Sequence, residues 1–204
     1  MARLVKIGLT GGIATGKSTV LRRWQQAGAQ TVEADQLAHQ TFEPATATWE
    51  EVVRVFGKDI LNPDRTINRR KLGDIVFNDE PKRLALNRIV HPAVRQMWSR
   101  WLQEQARGGG DPAVVAIPLL YEVGAEKEFD FVTAVGCSEP TQMARLTAKG
   151  MTELQARARV RAQWPLSLKM ERAEFVIWND GQPAVLEQQA DIVWQTIKES
   201  AHAA

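Results

Sequence analysis

Residues Gly11-Gly12-Ile13-Ala14-Thr15-Gly16-Lys17-Ser18 bring glycines, an ammonium group and a hydroxyl together at the spacing a phosphate chain requires. They fit the phosphate-loop pattern G-x-x-x-x-G-K-[ST] in full, and Thr19 follows. Glycines let the backbone fold back so that successive N–H groups converge on phosphate oxygens, and a helix N-terminus beyond them favours an anion. In such a loop Lys17 reaches the β- and γ-phosphates and the Ser18 hydroxyl ligates Mg²⁺. Gly11 to Thr19 are therefore the expected contacts of a nucleoside triphosphate. Four fixed positions match by chance in roughly one chain of this length in a hundred. The flanks make chance rarer still, because Val5 to Thr10 reads as a buried strand and Ser18 to Ala27 as a helix stopped by Gly28.

Phosphoryl transfer to an acceptor also calls for a carboxylate that orients the attacking hydroxyl or takes its proton. Asp35 closes the second apolar segment and is the best placed candidate; the alternative is an N-cap for a helix over Gln36 to Phe42. Glu122 is a second carboxylate, read as a contact to substrate or to a Mg²⁺-bound water, or as a polar strand end. Cys137 closes an apolar run and reads as a buried structural thiol.

The elements that must hold these groups alternate. Apolar, β-branched segments at Val5–Thr10, Ala29–Ala34, Ala113–Leu119, Phe131–Gly136 and Phe175–Trp178 are separated by helical patterns. This predicts an α/β fold, a doubly wound five-stranded parallel sheet whose ligands gather at the carboxyl ends of the strands. The usual order would set the strand ending at Asp35 beside the phosphate-loop strand. Nearly eighty residues separate the second and third strands, so a helical unit is inserted there. Its last helix is expected to start at Pro92, with Val94, Met97, Trp98, Trp101 and Leu102 as an apolar stripe, before a turn at Gly108-Gly109-Gly110. Residues 140–172 hold seven basic residues against two acidic ones. That suits a lid closing over phosphates, the alternative being a solvated charged face. Thr152 with Gln155 predicts a capping box at its second helix.

The 204 residues, with 44% hydrophobic and 25% charged, describe one globular domain made of a core (1–42, 111–139, 173–204), a helical substrate-binding insertion (about 43–110) and a lid (about 140–172). No apolar run approaches a membrane span, and a net charge of +2 argues against nucleic acid as a partner. A single cysteine, with Arg3 and Lys6 leading directly into the phosphate loop, points to a cytoplasmic enzyme. A monomer or weak homo-oligomer is expected.

Several motifs together resemble the dephospho-coenzyme A kinase family. Ile7-Gly8-Leu9-Thr10 and the phosphate loop are similar to that family's start. Glu33-Ala34-Asp35-Gln36-Leu37-Ala38-His39 is similar to its D-A-D-x-[IL]-A-[HR] motif, with Glu33 in place of the first Asp. Ile67-Asn68-Arg69-Arg70-Lys71-Leu72, Val76-Phe77 and Ile89-Val90-His91-Pro92 resemble its substrate-domain signature, and Pro118-Leu119-Leu120-Tyr121-Glu122 its P-L-L-x-E. Arg159-Val160, Gln163 and Lys169 resemble its lid, and Asn179-Asp180-Gly181 its adenine-side N-x-G. Lys149 stands where an arginine is common, and Glu174 replaces an Asp.

The resemblance implies ATP-dependent phosphorylation of the ribose 3′-hydroxyl of dephospho-coenzyme A, with ATP and Mg²⁺ as cofactors. It implies Asp35, Lys17 and Arg145 as catalytic groups, and Arg145, Asn179 and Gly181 beside ATP. Thr10, Asp35, Arg69, His91, Leu119, Glu122, Arg159 and Gln163 would lie on the acceptor side. From the residues alone, His91 reads equally as a cap before Pro92, and Arg70 competes with Arg69. Three other readings compete. Another P-loop kinase, for a small metabolite or nucleoside monophosphate, would share loop and lid. A GTPase switch or ATP-driven motor is the second, against which no N-K-x-D motif occurs and only the strand ending in Asp35 partly offers a motor's acidic strand end. Nucleic-acid binding through the basic lid is the third, against which stand the near-neutral chain and the lack of a recognised module.

Overall fold

Alternating large apolar and small residues over Lys6–Gly11 make β1, and Gly16 in a left-handed conformation starts α1 (Lys17–Gln26). In chain order there follow β2 (Gln30–Glu33), α2 (Ala34–Thr41), α3 (Ala47–Phe56), α4 (Arg69–Phe77) and α5 (Glu80–Gly108). Then come β3 (Ala113–Ala116), β4 (Phe131–Gly136), α6 (Glu139–Ala148), α7 (Glu153–Arg161), α8 (Leu166–Arg172), β5 (Phe175–Trp178) and α9 (Pro183–Ala203). This is a computed structural model, and it describes residues 3–77, 79–108 and 111–203. Two compact units divide the chain, one of residues 1–32 with 102–204, the other Glu33–Trp101.

The first unit holds the sheet, in the order β2-β3-β1-β4-β5. β1 pairs in parallel with β3 (Ile7 opposite Val114) and with β4 (Ile7 opposite Phe131), and β4 with β5. Side chains alternate across a strand, so Ile7 and Leu9 share a face. There they pack with Val114, Val135 and Ile177 against Val20 and Trp24 of α1 and Leu186, Trp194 and Ile197 of α9. The indole N–H of Trp24 donates to Ala190 O at 2.8 Å, and Arg23 forks onto Asp191, which ties α1 to α9. On the opposite face α8 comes so close that a Cβ on Gly136 would meet Met170 Sδ at 2.6 Å.

The order corrects one expectation: β3 lies between β1 and the strand that leads to Asp35. The reason is burial on both faces. All four residues of β3 (Ala-Val-Val-Ala) are buried, as a central parallel strand requires, whereas β2 carries Gln30, Thr31 and Glu33 and is an edge. The third strand also stops at Ala116 rather than Leu119, just before Ile117-Pro118, since proline disfavours a ladder.

The second unit is helical. Its core is Trp49, Val52, Ile60, Ile67, Leu72 and Val76, with Phe42, Phe56 and Leu86 packed around it. Thr46 caps α3, its hydroxyl accepting from Trp49 N–H at 3.1 Å. No helix starts at Pro92; it sits inside the 29-residue α5. Buried Val90, Val94, Trp98 and Leu102 recur every fourth residue through it, so packing of one continuous stripe outweighs the single hydrogen bond that proline removes. Gly108 ends that helix, and Gly109 and Gly110 of the expected turn lie outside the described residues. Among the described residues no helix is long and apolar enough to cross a membrane.

Candidate active site

The loop between β1 and α1 carries three residues with positive φ: Gly11 (139°), Ala14 (60°) and Gly16 (109°). Gly11 and Gly16 are required by space as well as conformation, because an added Cβ would lie 2.1 Å from Val135 O and 2.3 Å from Asn179 Nδ2. Ala14 accepts a left-handed conformation that costs roughly 1–2 kcal/mol, so its surroundings must hold it there.

What holds it is a set of donors aimed at the loop's carbonyls. Gln142 Nε2, buried on α6, donates to Ile13 O at 2.6 Å. Arg145, one turn further along the same face, donates to Ala14 O at 3.3 Å and to Asn179 O at 2.9 Å. Asn179 Nδ2 donates to Thr15 O at 2.8 Å, and the Thr15 hydroxyl to Gly12 O at 2.9 Å. In a trans peptide the C=O and the next N–H point opposite ways. Fixing the carbonyls of residues 13–15 outward therefore turns the N–H groups of residues 14–16 towards the other side, where a phosphate would sit. Lys17 Nζ rests on Gly12 O (2.6 Å) and Gly11 O (3.3 Å), across the loop it belongs to. Ser18 is exposed in the first turn of α1, and Thr19 follows half-buried. Gly181, beyond β5, is exposed.

Residues 140–172, expected as a lid, belong to the same unit as the loop. Thr152 and Gln155 form the expected capping box of α7, and Ser138 caps α6. Not all of the basic charge there is available to a phosphate. Arg157 is bound to Glu153 and Glu139, Lys169 is buried against Glu122, and Arg172 lies over the rings of Tyr121 and Trp164. Counting charges along the sequence therefore overstates what this segment offers a phosphate, because at least three of its seven basic residues are engaged elsewhere. Arg159 is half-buried in the last turn of α7. Gln163, just past that helix, accepts from Ile13 N–H at 2.9 Å.

Behind the loop, Glu122 Oε1 accepts from Lys169 Nζ (2.7 Å) and from Trp164 N–H (2.8 Å), while Oε2 is buried with no hydrogen-bond partner among the described residues. Lys169 also donates to Pro118 O at 2.7 Å, the same carbonyl that takes the Thr10 hydroxyl at 3.4 Å. Burial pushes the Lys169 ammonium below its usual range, and the bond to Glu122 pulls it back up. Leu119 is half-buried beside them. Cys137 is buried, and burial raises its thiol.

Tyr121 is 5% exposed and stacks on Trp164 (centroids 6.4 Å), yet its hydroxyl has no partner among the described residues. Desolvation lifts that phenol from 10 to about 12. Between those values the folded chain holds a proton the unfolded chain has lost, so this group's contribution to stability falls as pH rises. Tyr121→Phe is expected to stabilise the protein by about 1 kcal/mol at neutral pH, since an unpaired buried hydroxyl is removed. It should also flatten the loss of thermal midpoint above pH 10. A lower midpoint at neutral pH would show a hydroxyl that is bonded after all.

The remaining sequence candidates lie in the helical unit. Asp35 is exposed in the first turn of α2, and Glu33, not Asp35, occupies the cap position. The N-cap alternative is thereby corrected: β2 ends one residue before Ala34, and the helix starts at once. A carboxylate in a first turn still suits the positive end of the helix. Arg69 opens α4, and the Asn68 side chain accepts from Lys71 N–H at 3.0 Å as the cap. Arg69 is exposed and lines a cavity of about 360 Å³ with His39, Phe42, Glu43 and Thr66. Arg70 is exposed too, and only Arg69 reaches that cavity. His91 is half-buried within α5 rather than capping it. Gln142 was missed by the sequence reading; its spacing of three from Arg145 on a helix after β4 was the available signal.

The dephospho-CoA kinase family model matches residues 5–184. A dephospho-CoA kinase of Geobacillus kaustophilus is 45% identical over 176 residues, covering 86% of this chain and 88% of that one. The crystal structure of TT1252 from Thermus thermophilus superposes with a TM-score of 0.76 at 33% identity, covering 95% of this chain and 98% of that one. A dephospho-CoA kinase from Campylobacter jejuni superposes with a TM-score of 0.71 at 26% identity, covering 96% and 98%.

Proposed function

The chain belongs to the dephospho-CoA kinase family, and from that premise we propose that it phosphorylates the ribose 3′-hydroxyl of dephospho-CoA with ATP. The observation that carries the reading within the structure is the phosphate loop whose carbonyls at residues 13–15 are tied outward by Gln142, Arg145 and Asn179. Donors fixed before the ligand arrives need no reorganisation when charge develops on the transferring group.

In this reading Lys17 leaves its resting carbonyls for the β- and γ-phosphates, and Arg145 braces the loop while adding positive charge beside it. The 3′-oxygen attacks the γ-phosphorus as the bond to the β,γ-bridging oxygen breaks, giving ADP and coenzyme A. Asp35 hydrogen-bonds the attacking hydroxyl and receives or directs its proton. Arg69 and His91 serve the acceptor, with Thr10, Leu119, Arg159 and Gln163 as further contacts. Asn179 and Gly181 lie on the nucleotide side.

Mg²⁺ would enter with the nucleotide. Among the described residues no three His, Cys, Asp or Glu converge as a metal cage, and the exposed Ser18 hydroxyl offers one hard oxygen. That donor set fits an ion keeping phosphate and water ligands. When bound, it neutralises charge on the β- and γ-phosphates. A single free thiol and a small net charge are consistent with a cytoplasmic enzyme that works alone or as a weak homo-oligomer.

The test is ATP consumption with Mg²⁺ against a panel of acceptors. Dephospho-CoA alone is expected to stimulate ADP release; stimulation by AMP or gluconate instead would reassign the acceptor.

A further inference from the structure

Lys169 is fully buried, and a buried ammonium is tolerated only when paired and hydrogen-bonded. Its partners are Glu122 Oε1 and Pro118 O, both at 2.7 Å, so it fixes the carboxylate to the end of the β3 segment. That same Oε1 accepts the Trp164 N–H at 2.8 Å. Trp164 is thereby held to the core between α7 and α8. The residue before it, Gln163, accepts from Ile13 N–H at 2.9 Å, while Gln142 donates to Ile13 O at 2.6 Å. Ile13 is thus clamped on both sides of its backbone, by one glutamine from α6 and one from just past α7.

We propose that the buried Lys169–Glu122 pair anchors the segment between α7 and α8 so that Gln163 closes this clamp on the phosphate loop. Lys169 and Glu122 are then positioning residues for nucleotide binding, acting through Trp164 and Gln163. The inference rests on the kinase reading only in taking ATP as the loop's ligand, and it needs nothing from the acceptor.

The discriminating step is to remove the charges in two ways that differ in one acceptor. Glu122→Gln with Lys169→Met keeps a carbonyl oxygen for the Trp164 N–H. Glu122→Met with Lys169→Met fills the same space without one. Neither leaves a lone buried charge, the usual reason for such variants to unfold.

ATP affinity is read by calorimetric titration, with thermal midpoints to show that each variant folds. The Gln/Met pair is expected to bind ATP within about threefold of wild type, and the Met/Met pair about tenfold more weakly, roughly the worth of one hydrogen bond. Gln163→Ala should show the same tenfold loss, and adding it to the Met/Met pair should cost nothing more, since both act through one contact. Wild-type affinity in the Met/Met pair, or losses that add in the triple variant, would overturn the proposal. If the Met/Met pair does not fold, Gln163→Ala in the Gln/Met background carries the test: a tenfold loss supports the clamp, and less than twofold overturns it. Absence of acceptor-dependent turnover in the wild type would instead sink the kinase reading and leave these titrations standing.

Discussion

Lys17→Ala is expected to lower kcat/KM for ATP by about 10³-fold or more, with nucleotide affinity and turnover falling together. Two charge-assisted bonds to phosphate oxygens are lost, each worth about 1.5–3 kcal/mol. The loop also loses an internal tie, because Nζ holds the Gly11 and Gly12 carbonyls. The fold should survive, since Lys17 is half-buried at the start of α1 while the apolar core there is Val20, Leu21 and Trp24. Steady-state kinetics over an ATP series, beside a thermal melt, would check both halves. A variant that keeps its ATP affinity would remove Lys17 from the phosphate site.

Asp35→Asn is expected to separate binding from chemistry. The substitution keeps shape and hydrogen-bonding reach but cannot take a proton, and positioned proton transfer contributes about 10²–10⁴-fold. A drop of kcat in that range, with the ATP dissociation constant within twofold of wild type, is the expected result. Asp35 is exposed in the first turn of α2 and does not cap it, so a structural explanation for such a loss would be weak. Full turnover in Asp35→Asn would remove the carboxylate from the mechanism. Rescue of kcat by Asp35→Glu with a raised KM for the acceptor would point to an orienting role.

Much of the frame was legible because it depends on local pattern. β4 and β5 fall on the expected Phe131–Gly136 and Phe175–Trp178, where short runs rich in β-branched and aromatic residues favour a strand, buried in β4 and half exposed at the edge in β5. The capping box at Thr152 and Gln155 was legible for the same reason: its chemistry is complete within four residues. Strand order was not, because nothing in β2 itself says which neighbour it takes. The polarity of Gln30, Thr31 and Glu33 beside the wholly apolar β3 was the clue that β2 is an edge. Pro92 misled in the same way, a local rule overridden by the stripe from Val90 to Leu102.

At the site, the phosphate loop was fully legible as a motif, whereas its bracing was not. The bonds from Gln142, Arg145 and Asn179 to residues 13–15 join segments more than a hundred residues apart, and no spacing rule reaches that far. The same holds for Glu122, where an acceptor-side or strand-end reading gave no hint of a buried Lys169. Basic residues in the lid looked uniform in sequence and differ in the fold. Arg157 and Lys169 are bound to carboxylates, and Arg172 covers two rings.

The central claim is that this chain moves the γ-phosphoryl group of ATP to one hydroxyl of dephospho-CoA. The measurement that tests it most directly is the product formed by the purified chain with Mg²⁺, ATP and dephospho-CoA, identified by mass and by phosphorus NMR. The account predicts one ADP for each coenzyme A, with the new phosphate as a monoester on the ribose 3′-oxygen. ADP released at the same rate without dephospho-CoA, or a phosphate found on any other group, would contradict it.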